Sequence, residues 1–202
     1  MIQMDNTILY EYGGGLYINL TNACTNKCKF CIRDFSGIQG YDLWLNHNPS
    51  ADEVIDELKK ADLSKYNEVV YCGYGEPMIR LDELIKSADY IKSVCGAKIR
   101  LNTNGQANLI HKRDVTPELK GRIDVISISL NGRDEAQYND ICLPELDGAY
   151  EAMLDFTKKV KAYVPKVVMS VVDTYINDDD IEACGKIAEK LGVEFRVRKF
   201  EG

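Results

Sequence analysis

The chain has 202 residues, of which 45% are hydrophobic and 28% charged, and its net charge is −7. This is the ordinary balance of a globular protein, and the length suffices for one domain with a sizeable core, residues 1–202. The negative charge argues against a general binder of nucleic acid or of anionic membranes, so neither is expected as a partner.

The predicted strands begin after an N-terminal extension, residues 1–15, that ends in a hairpin turned at Gly13-Gly14-Gly15. Short β-rich runs follow, and several are apolar almost throughout, as is typical of strands buried on both faces. These runs are residues 16–21, 68–73, 98–103, 124–130, 166–172 and 194–200.

Helical patterns lie between the predicted strands. Ser50 and Glu53 have the spacing of a capping box, so a helix is predicted to begin there. Apolar residues at helical spacing predict further helices over 81–95 and 148–162. A fourth helix is predicted to begin at the acidic residues 178–180 and to end at Gly192.

Six strands that alternate with helices predict a parallel sheet with right-handed crossovers. The sheet is either open and doubly wound or part of a barrel, and both arrangements place their sites at the C-terminal ends of the strands. The unusual motifs obey that rule. Cysteines follow the first strand, GYGEP the second, NTNG the third and SLNG the fourth.

No apolar run approaches the roughly 18 residues that a membrane-spanning helix needs. The first 15 residues also lack the basic start and long apolar stretch of a signal peptide. We therefore expect a cytoplasmic protein without a membrane partner.

Cys24, Cys28 and Cys31 form a Cys-x3-Cys-x2-Cys cluster, and in a reducing compartment such a cluster indicates metal binding or catalysis rather than disulfides. Structural zinc normally takes four protein ligands, and a four-iron cluster normally takes four thiolates. Three thiolates on a four-iron cluster leave one iron open, as catalytic metal sites leave a position for substrate or cofactor.

The other four cysteines are scattered. Cys72, Cys95 and Cys184 lie in apolar patterns that are typical of small buried residues. Cys142 either lines a pocket or has no special role, and the sequence does not decide between the two.

These motifs, in this order, resemble the radical S-adenosylmethionine (SAM) enzymes over about residues 16–200. The resemblance implies an α/β fold, a partial (β/α)6 barrel over residues 16–200 with the N-terminal hairpin as an extension. It also implies a [4Fe-4S] cluster on Cys24, Cys28 and Cys31, with SAM on the fourth iron. The implied reaction is reductive cleavage of SAM to a 5′-deoxyadenosyl radical, which abstracts hydrogen from a substrate.

The resemblance further implies SAM contacts at the strand ends. Gly73, Tyr74, Gly75 and Glu76 resemble the family's GGEP motif, with Tyr74 in place of its second glycine. The resemblance implies glycines that permit unusual dihedrals and a carboxylate that helps hold the SAM ammonium. The other implied contacts are Phe30 and Val172 beside the adenine, Ser129 and Asn131 at the ribose, and Asn102 and Asn104 at SAM or substrate.

Five basic residues are candidate substrate contacts, and each has a structural alternative. Arg33 is predicted either to contact substrate or a redox donor, or to form an ion pair with Asp34. His111 and Arg113 bind a substrate anion, or else belong to a solvated helix start. Arg196 and Arg198 share one face of the last strand as substrate clamps, or else pair with acidic residues.

A closer resemblance, to the TatD-associated radical SAM proteins, is carried by LTNACTNKCKFCIRD, YCGYGEP, RLNTNGQANLIHKRD and FRVR. The substrate stays open between a small molecule and a peptide or protein, and the latter would fit an activase of glycyl-radical enzymes. An electron donor such as a flavodoxin or ferredoxin is implied. Two hypotheses of another class need no SAM, namely an iron–sulfur electron-transfer module and a zinc-binding module.

Overall fold

The computed structural model describes residues 6–35 and 41–200, and within these ranges the chain forms one sheet of seven strands. The first five residues of the predicted extension and the last two residues of the chain lie outside the described ranges. The strands are β1 (Leu9–Tyr12), β2 (Gly15–Ile18), β3 (Glu68–Tyr71), β4 (Lys98–Thr103), β5 (Val125–Ser129), β6 (Lys166–Val172) and β7 (Glu194–Arg198).

β1 and β2 form the predicted hairpin. Its turn uses Gly13 and Gly14, whose φ angles of 54° and 81° are readily adopted by glycine. Each later strand pairs in parallel with the one before it, from β2 to β7.

The strand order decides between the two sheet types that the sequence left open. A doubly wound sheet reverses its strand order at a switch point, whereas here the order follows the sequence. Right-handed crossovers in one direction put all the helices on the same face. The sheet is not closed, and β1 and β7 are its edges in the part of the chain that the structure describes. The predicted partial barrel with a hairpin extension is therefore confirmed.

The α-helices of the described ranges are α1 (Ala51–Lys60), α2 (Leu81–Val94), α3 (Ala107–His111), α4 (Glu135–Cys142), α5 (Ala149–Val160) and α6 (Asp178–Leu191). The predicted capping box starts α1, with Ser50 N–H donating to Glu53 Oε2 at 2.8 Å and Glu53 N–H donating to Ser50 Oγ at 3.3 Å. Gly192 ends α6 with a φ of 67°. The sequence missed α3 and α4, which are short. None of these helices is long and apolar enough to cross a bilayer.

The two faces of the sheet differ in chemistry. Outward side chains such as Val69, Ile99 and Met169 pack under the helices in the main hydrophobic core. The alternate positions point inward and carry a mixture of polar side chains, such as Asn102 and Ser170, and aliphatic ones, such as Val168 and Val172. The inward residues Val168, Ser170 and Val172 do not belong to the main hydrophobic core under the helices.

The predicted strands are too long at several C-terminal ends. The run 16–21 stops at Ile18 and the run 68–73 at Tyr71. Just beyond these two strand ends, Asn19 and Gly73 pack against each other. The last strand likewise ends at Arg198 rather than at residue 200.

Candidate active site

The cysteine loop, residues 22–33, follows β2 and lies on the end of α4. Lys27 N–H donates to the carbonyl of Cys142 at 3.1 Å, and Lys29 N–H donates to the carbonyl of Ile141 at 3.0 Å. The last carbonyls of a helix have no partner within it. The loop supplies those partners, which fixes its position on the helix.

The three thiols of this loop are each half-buried. Burial, with a smaller contribution from Glu76, raises the pKa of Cys24 to about 12. The pKa of Cys28 is lowered, mainly because the Cys142 thiol donates a hydrogen bond to its sulfur. Thiols must be deprotonated to bind metal, so loading of this loop would release protons.

The cysteine loop offers the kind of ligand that an iron–sulfur cluster takes. Among the described residues, no three His, Cys, Asp or Glu side chains are close enough together to hold one metal ion. Three thiolates on one loop are the soft ligands that iron–sulfur clusters take.

Cys142 is the fourth cysteine at this place, although its position in the sequence gave no sign of it. Its side chain is fully buried at the end of α4. Its pKa is raised well above the ordinary value, first by the hydrogen bond with Cys28 and then by burial. Asn131 also contacts its sulfur. Cys142 thus stays a protonated donor beneath the loop.

The glycines of GYGEP are required for a different reason than predicted. Neither Gly73 nor Gly75 has a positive φ. A Cβ on Gly75 would lie 2.3 Å from the carbonyl oxygen of Thr21, and one on Gly73 would lie 2.1 Å from Asn19 Oδ1. The glycines therefore let the turn after β3 lie directly against the chain that follows β2.

Glu76 is held inside the protein by three hydrogen bonds. Its side chain is buried, and it accepts hydrogen bonds from Met78 N–H at 3.0 Å, Thr103 Oγ1 at 2.7 Å and Asn104 N–H at 2.7 Å. Burial raises its pKa to about 6, although these bonds favour the charged form. Its carboxylate joins the ends of β3 and β4.

A buried polar network joins the cysteine loop to the NTNG turn and to α4. Gln106 accepts a hydrogen bond from Thr25 Oγ1 at 2.7 Å and donates to Asn26 Oδ1 at 2.7 Å and to the Tyr138 hydroxyl at 2.9 Å. Asn104 donates to Thr25 Oγ1 at 2.9 Å. Asn104 is thus a support of the loop, and Gln106 and Tyr138 are supports that the sequence did not reveal.

The remaining SAM candidates divide between the inner face and the layer beneath it. Ser129 and Val172 are the last residues of β5 and β6, and both lie on the inner face of the sheet. Asn102 is also inward, and its Oδ1 accepts a hydrogen bond from the Arg100 guanidinium at 3.0 Å. Asn131 is buried, and its Oδ1 accepts from Val172 N–H at 3.2 Å. Asn131 therefore positions the strand ends from below.

Two aromatic pairs include a residue of the cysteine loop or of the GYGEP turn. Phe30 lies 6.2 Å from the ring of Tyr175, which is 43% exposed and donates its hydroxyl to the Lys29 carbonyl at 3.1 Å. Tyr74 of the GYGEP turn meets Trp44 edge-on at 5.1 Å between ring centroids, and Trp44 is 47% exposed. Tyr175 comes from the loop after β6, so only the folded chain brings it to the cysteines.

The structure separates the five basic candidates. Arg33 lies on the cysteine loop, with Nε 3.2 Å from Cys31 Sγ. Arg198 points inward and donates to Ser170 Oγ at 3.2 Å, whereas Arg196 is exposed. His111 donates from Nε2 to the Met78 carbonyl at 2.8 Å, and Arg113 pairs with Glu118 at the surface. His111 and Arg113 lie at and just after the end of α3, so the predicted helix start at these residues is wrong.

The sequence model of the radical SAM superfamily matches residues 18–186. The chain belongs to the radical SAM superfamily. Proteins of this superfamily are enzymes that use a [4Fe-4S] cluster and SAM, and the donors of the cysteine loop suit such a cluster. The superfamily resemblance of the sequence is thereby confirmed.

Curated relatives of this radical SAM chain are named as RNA enzymes. A probable dual-specificity RNA methyltransferase RlmN of Caldicellulosiruptor saccharolyticus is 26% identical over 194 residues, covering 90% of this chain and 52% of the relative. RlmN of Buchnera aphidicola is 26% identical over 183 residues, covering 84% and 47%. The chain thus spans about half the length of the curated relatives it matches. Their names conflict with the expectation, drawn from net charge alone, that nucleic acid is not a partner.

Solved radical SAM structures share the fold. Streptococcus suis SuiB bound to the precursor peptide SuiA superposes with a TM-score of 0.69 at 16% identity, covering 96% of this chain and 40% of that one. The enzyme anSMEcpe with bound AdoMet gives 0.64 at 18% identity, covering 92% and 50%. These likenesses concern the fold.

Proposed function

We propose that this chain catalyses radical SAM chemistry, with Cys24, Cys28 and Cys31 each binding one iron of a [4Fe-4S] cluster and with SAM on the fourth iron. The observation that carries the proposal is the cysteine loop itself, which places three half-buried thiols at the C-terminal edge of a parallel sheet. When bound and reduced, the cluster with SAM supplies a 5′-deoxyadenosyl radical for hydrogen abstraction.

We assign the SAM contacts to two layers. Phe30, Ser129 and Val172 would contact SAM directly with their side chains, and the backbone of residues 73–75 would do so with its carbonyls. Asn102 belongs to the inner face that SAM or substrate would occupy. The buried residues of the second layer, Glu76, Asn104 and Asn131, would hold these groups in place.

A second candidate concerns the substrate, and we propose a base of RNA. The names of the curated relatives favour it. The exposed rings of Trp44 and Tyr175 also favour it, because unstacked bases bind on aromatic side chains. Nucleoside mass spectrometry of RNA incubated with the active protein tests this. A small molecule or a peptide, including the glycine site of a glycyl-radical enzyme, is the substrate if no nucleoside changes.

The further assignments made from the sequence are proposals of the same kind. They are a single domain over residues 1–202, a cytoplasmic location, a flavodoxin or ferredoxin as electron donor, and membership of the TatD-associated group. The stretches quoted above support the last of these. A TatD-like hydrolase encoded beside this chain would support it further, and the absence of one across related genomes would count against it.

The main proposal is tested on anaerobically reconstituted, dithionite-reduced protein. We expect an electron paramagnetic resonance (EPR) signal that changes on addition of SAM, together with 5′-deoxyadenosine as a product. Cys28→Ala should abolish both. Cys95→Ala is the matched control, because Cys95 ends α2 at the opposite end of the sheet. A cluster indifferent to SAM would favour the electron-transfer module, and colourless protein loaded with zinc would favour the zinc module.

A further inference from the structure

The guanidinium of Arg33 is held against the cysteine loop by three hydrogen bonds. Its Nε–H donates to Cys31 Sγ at 3.2 Å. Its two terminal nitrogens donate to the carbonyls of Asn22 and Asn26, each at 3.4 Å. One planar group thus contacts the beginning, middle and end of the loop, and this geometry differs from the predicted pairing with Asp34.

A guanidinium is suited to this arrangement. It is permanently charged and presents its N–H groups in a rigid fork, so three acceptors in different directions hold it in one orientation. Both carbonyl acceptors belong to the backbone, which cannot turn away as a side chain can. The Nε–H group therefore stays directed at the sulfur of Cys31.

Hydrogen bonds to ligand sulfurs are among the factors that set the reduction potential of an iron–sulfur cluster. Reduction adds one electron, whose charge spreads onto the sulfurs. A charged donor at a sulfur stabilises the reduced form more than the oxidised form. Removal of that donor should therefore move the midpoint potential to more negative values.

We propose that Arg33 is a positioning residue that holds the cysteine loop and raises the reduction potential of the cluster through its bond to Cys31, an inference that rests on the proposed cluster site. Arg33 thereby acts on the cluster rather than on the substrate. The bond also makes the three thiolates unequal, because Cys31 receives the guanidinium whereas Cys24 lies toward Glu76.

The test is EPR-monitored potentiometry of reconstituted protein, with iron and sulfide content measured in parallel. Arg33→Leu should shift the midpoint to more negative potential at equal cluster content. Arg33→Lys keeps the charge but loses the fork, so its midpoint should lie between those of wild type and Arg33→Leu. Arg122→Leu is the matched control, because Arg122 pairs with Asp89 beside the start of β5 and should leave the midpoint unchanged.

A second measurement does not depend on folding of the leucine variant. Protein labelled with 15N-arginine should show a 15N coupling in pulsed EPR of the reduced cluster, and Arg33→Lys should lack it. Equal midpoints in wild type and Arg33→Lys, or a wild type without the coupling, overturn the inference while leaving the cluster site standing. A wild-type protein that takes up no cluster overturns the proposed function and the inference together.

Discussion

The carboxylate of Glu76 accepts a hydrogen bond of 2.7 Å from the backbone N–H of Asn104, and this bond ties the turn after β3 to the end of β4. The same carboxylate is buried at 3% exposure. A group that holds two strand ends from inside the protein has consequences for stability, and these can be measured separately from catalysis.

Glu76 should make stability fall as pH rises through a defined window. Burial raises its pKa from 4.5 to about 6 in the folded protein, so between these values the folded state keeps a proton that the unfolded state releases. The unfolding free energy of wild type relative to Glu76→Gln should therefore decrease by about 2 kcal/mol across the window and stay constant above it.

Urea unfolding of both proteins at several pH values measures this difference. Glu83→Gln is the control of opposite sign, because Arg80 lowers the pKa of Glu83. The stability that Glu83 contributes is fully present above the ordinary carboxyl pKa. It is lost as pH falls through the lowered pKa of Glu83 in the folded protein. If the unfolding free energy of wild type relative to Glu76→Gln rose with pH instead, this would contradict a raised pKa for Glu76.

Cys142 should be dispensable for the cluster. Its thiol is buried, protonated and engaged as a donor to Cys28, so Cys142→Ala should keep the iron and the response of the EPR signal to SAM. Cys28→Ala should lose both. Iron content and EPR of the two variants give the result. Equal loss of iron in both variants would make Cys142 a fourth thiolate and leave no iron open to SAM.

Gln106→Leu should destabilise the apo-protein by about 3 kcal/mol, because it leaves the buried groups of Thr25, Asn26 and Tyr138 without their amide partner. Tyr138→Phe, which removes one hydroxyl from the same network, should cost about 1 kcal/mol. Chemical unfolding measures both. The half-buried Tyr163 lies in the turn after α5, and Tyr163→Phe serves as the control. If Gln106→Leu and Tyr138→Phe lowered the unfolding free energy no more than Tyr163→Phe does, this would contradict a stabilising role of the network.

Gly75→Ala should cost about 3 kcal/mol or prevent folding, because its Cβ would lie 2.3 Å and 2.5 Å from two backbone carbonyl oxygens that cannot rotate away. Gly96→Ala is the matched control, since a Cβ there meets nothing within 4 Å and Gly96 has no positive φ. That variant should be neutral or slightly stabilised. Thermal unfolding compares the two, and equal melting temperatures would show that the turn after β3 can move.

Much of the fold followed from periodicity. The strand runs, the capping box at Ser50 and the glycine cap at Gly192 were visible because each depends on neighbouring residues. The short helices α3 and α4 escaped because five and eight residues hold too few turns to show an apolar stripe. The choice between a barrel and a doubly wound sheet did not follow from periodicity, because it depends on which strands pair, and only the family resemblance predicted the partial barrel.

The sequence by itself determined the chemistry of this protein, since three thiols in one short loop and motifs after successive strands are local patterns. Only the tertiary structure decided which of those residues face the opening. It placed Glu76, Asn104 and Asn131 beneath the site and brought Cys142 to Cys28 and Tyr175 to Phe30. The physical reason is that direction and burial depend on packing between segments distant in sequence, and local spacing carries no record of that packing.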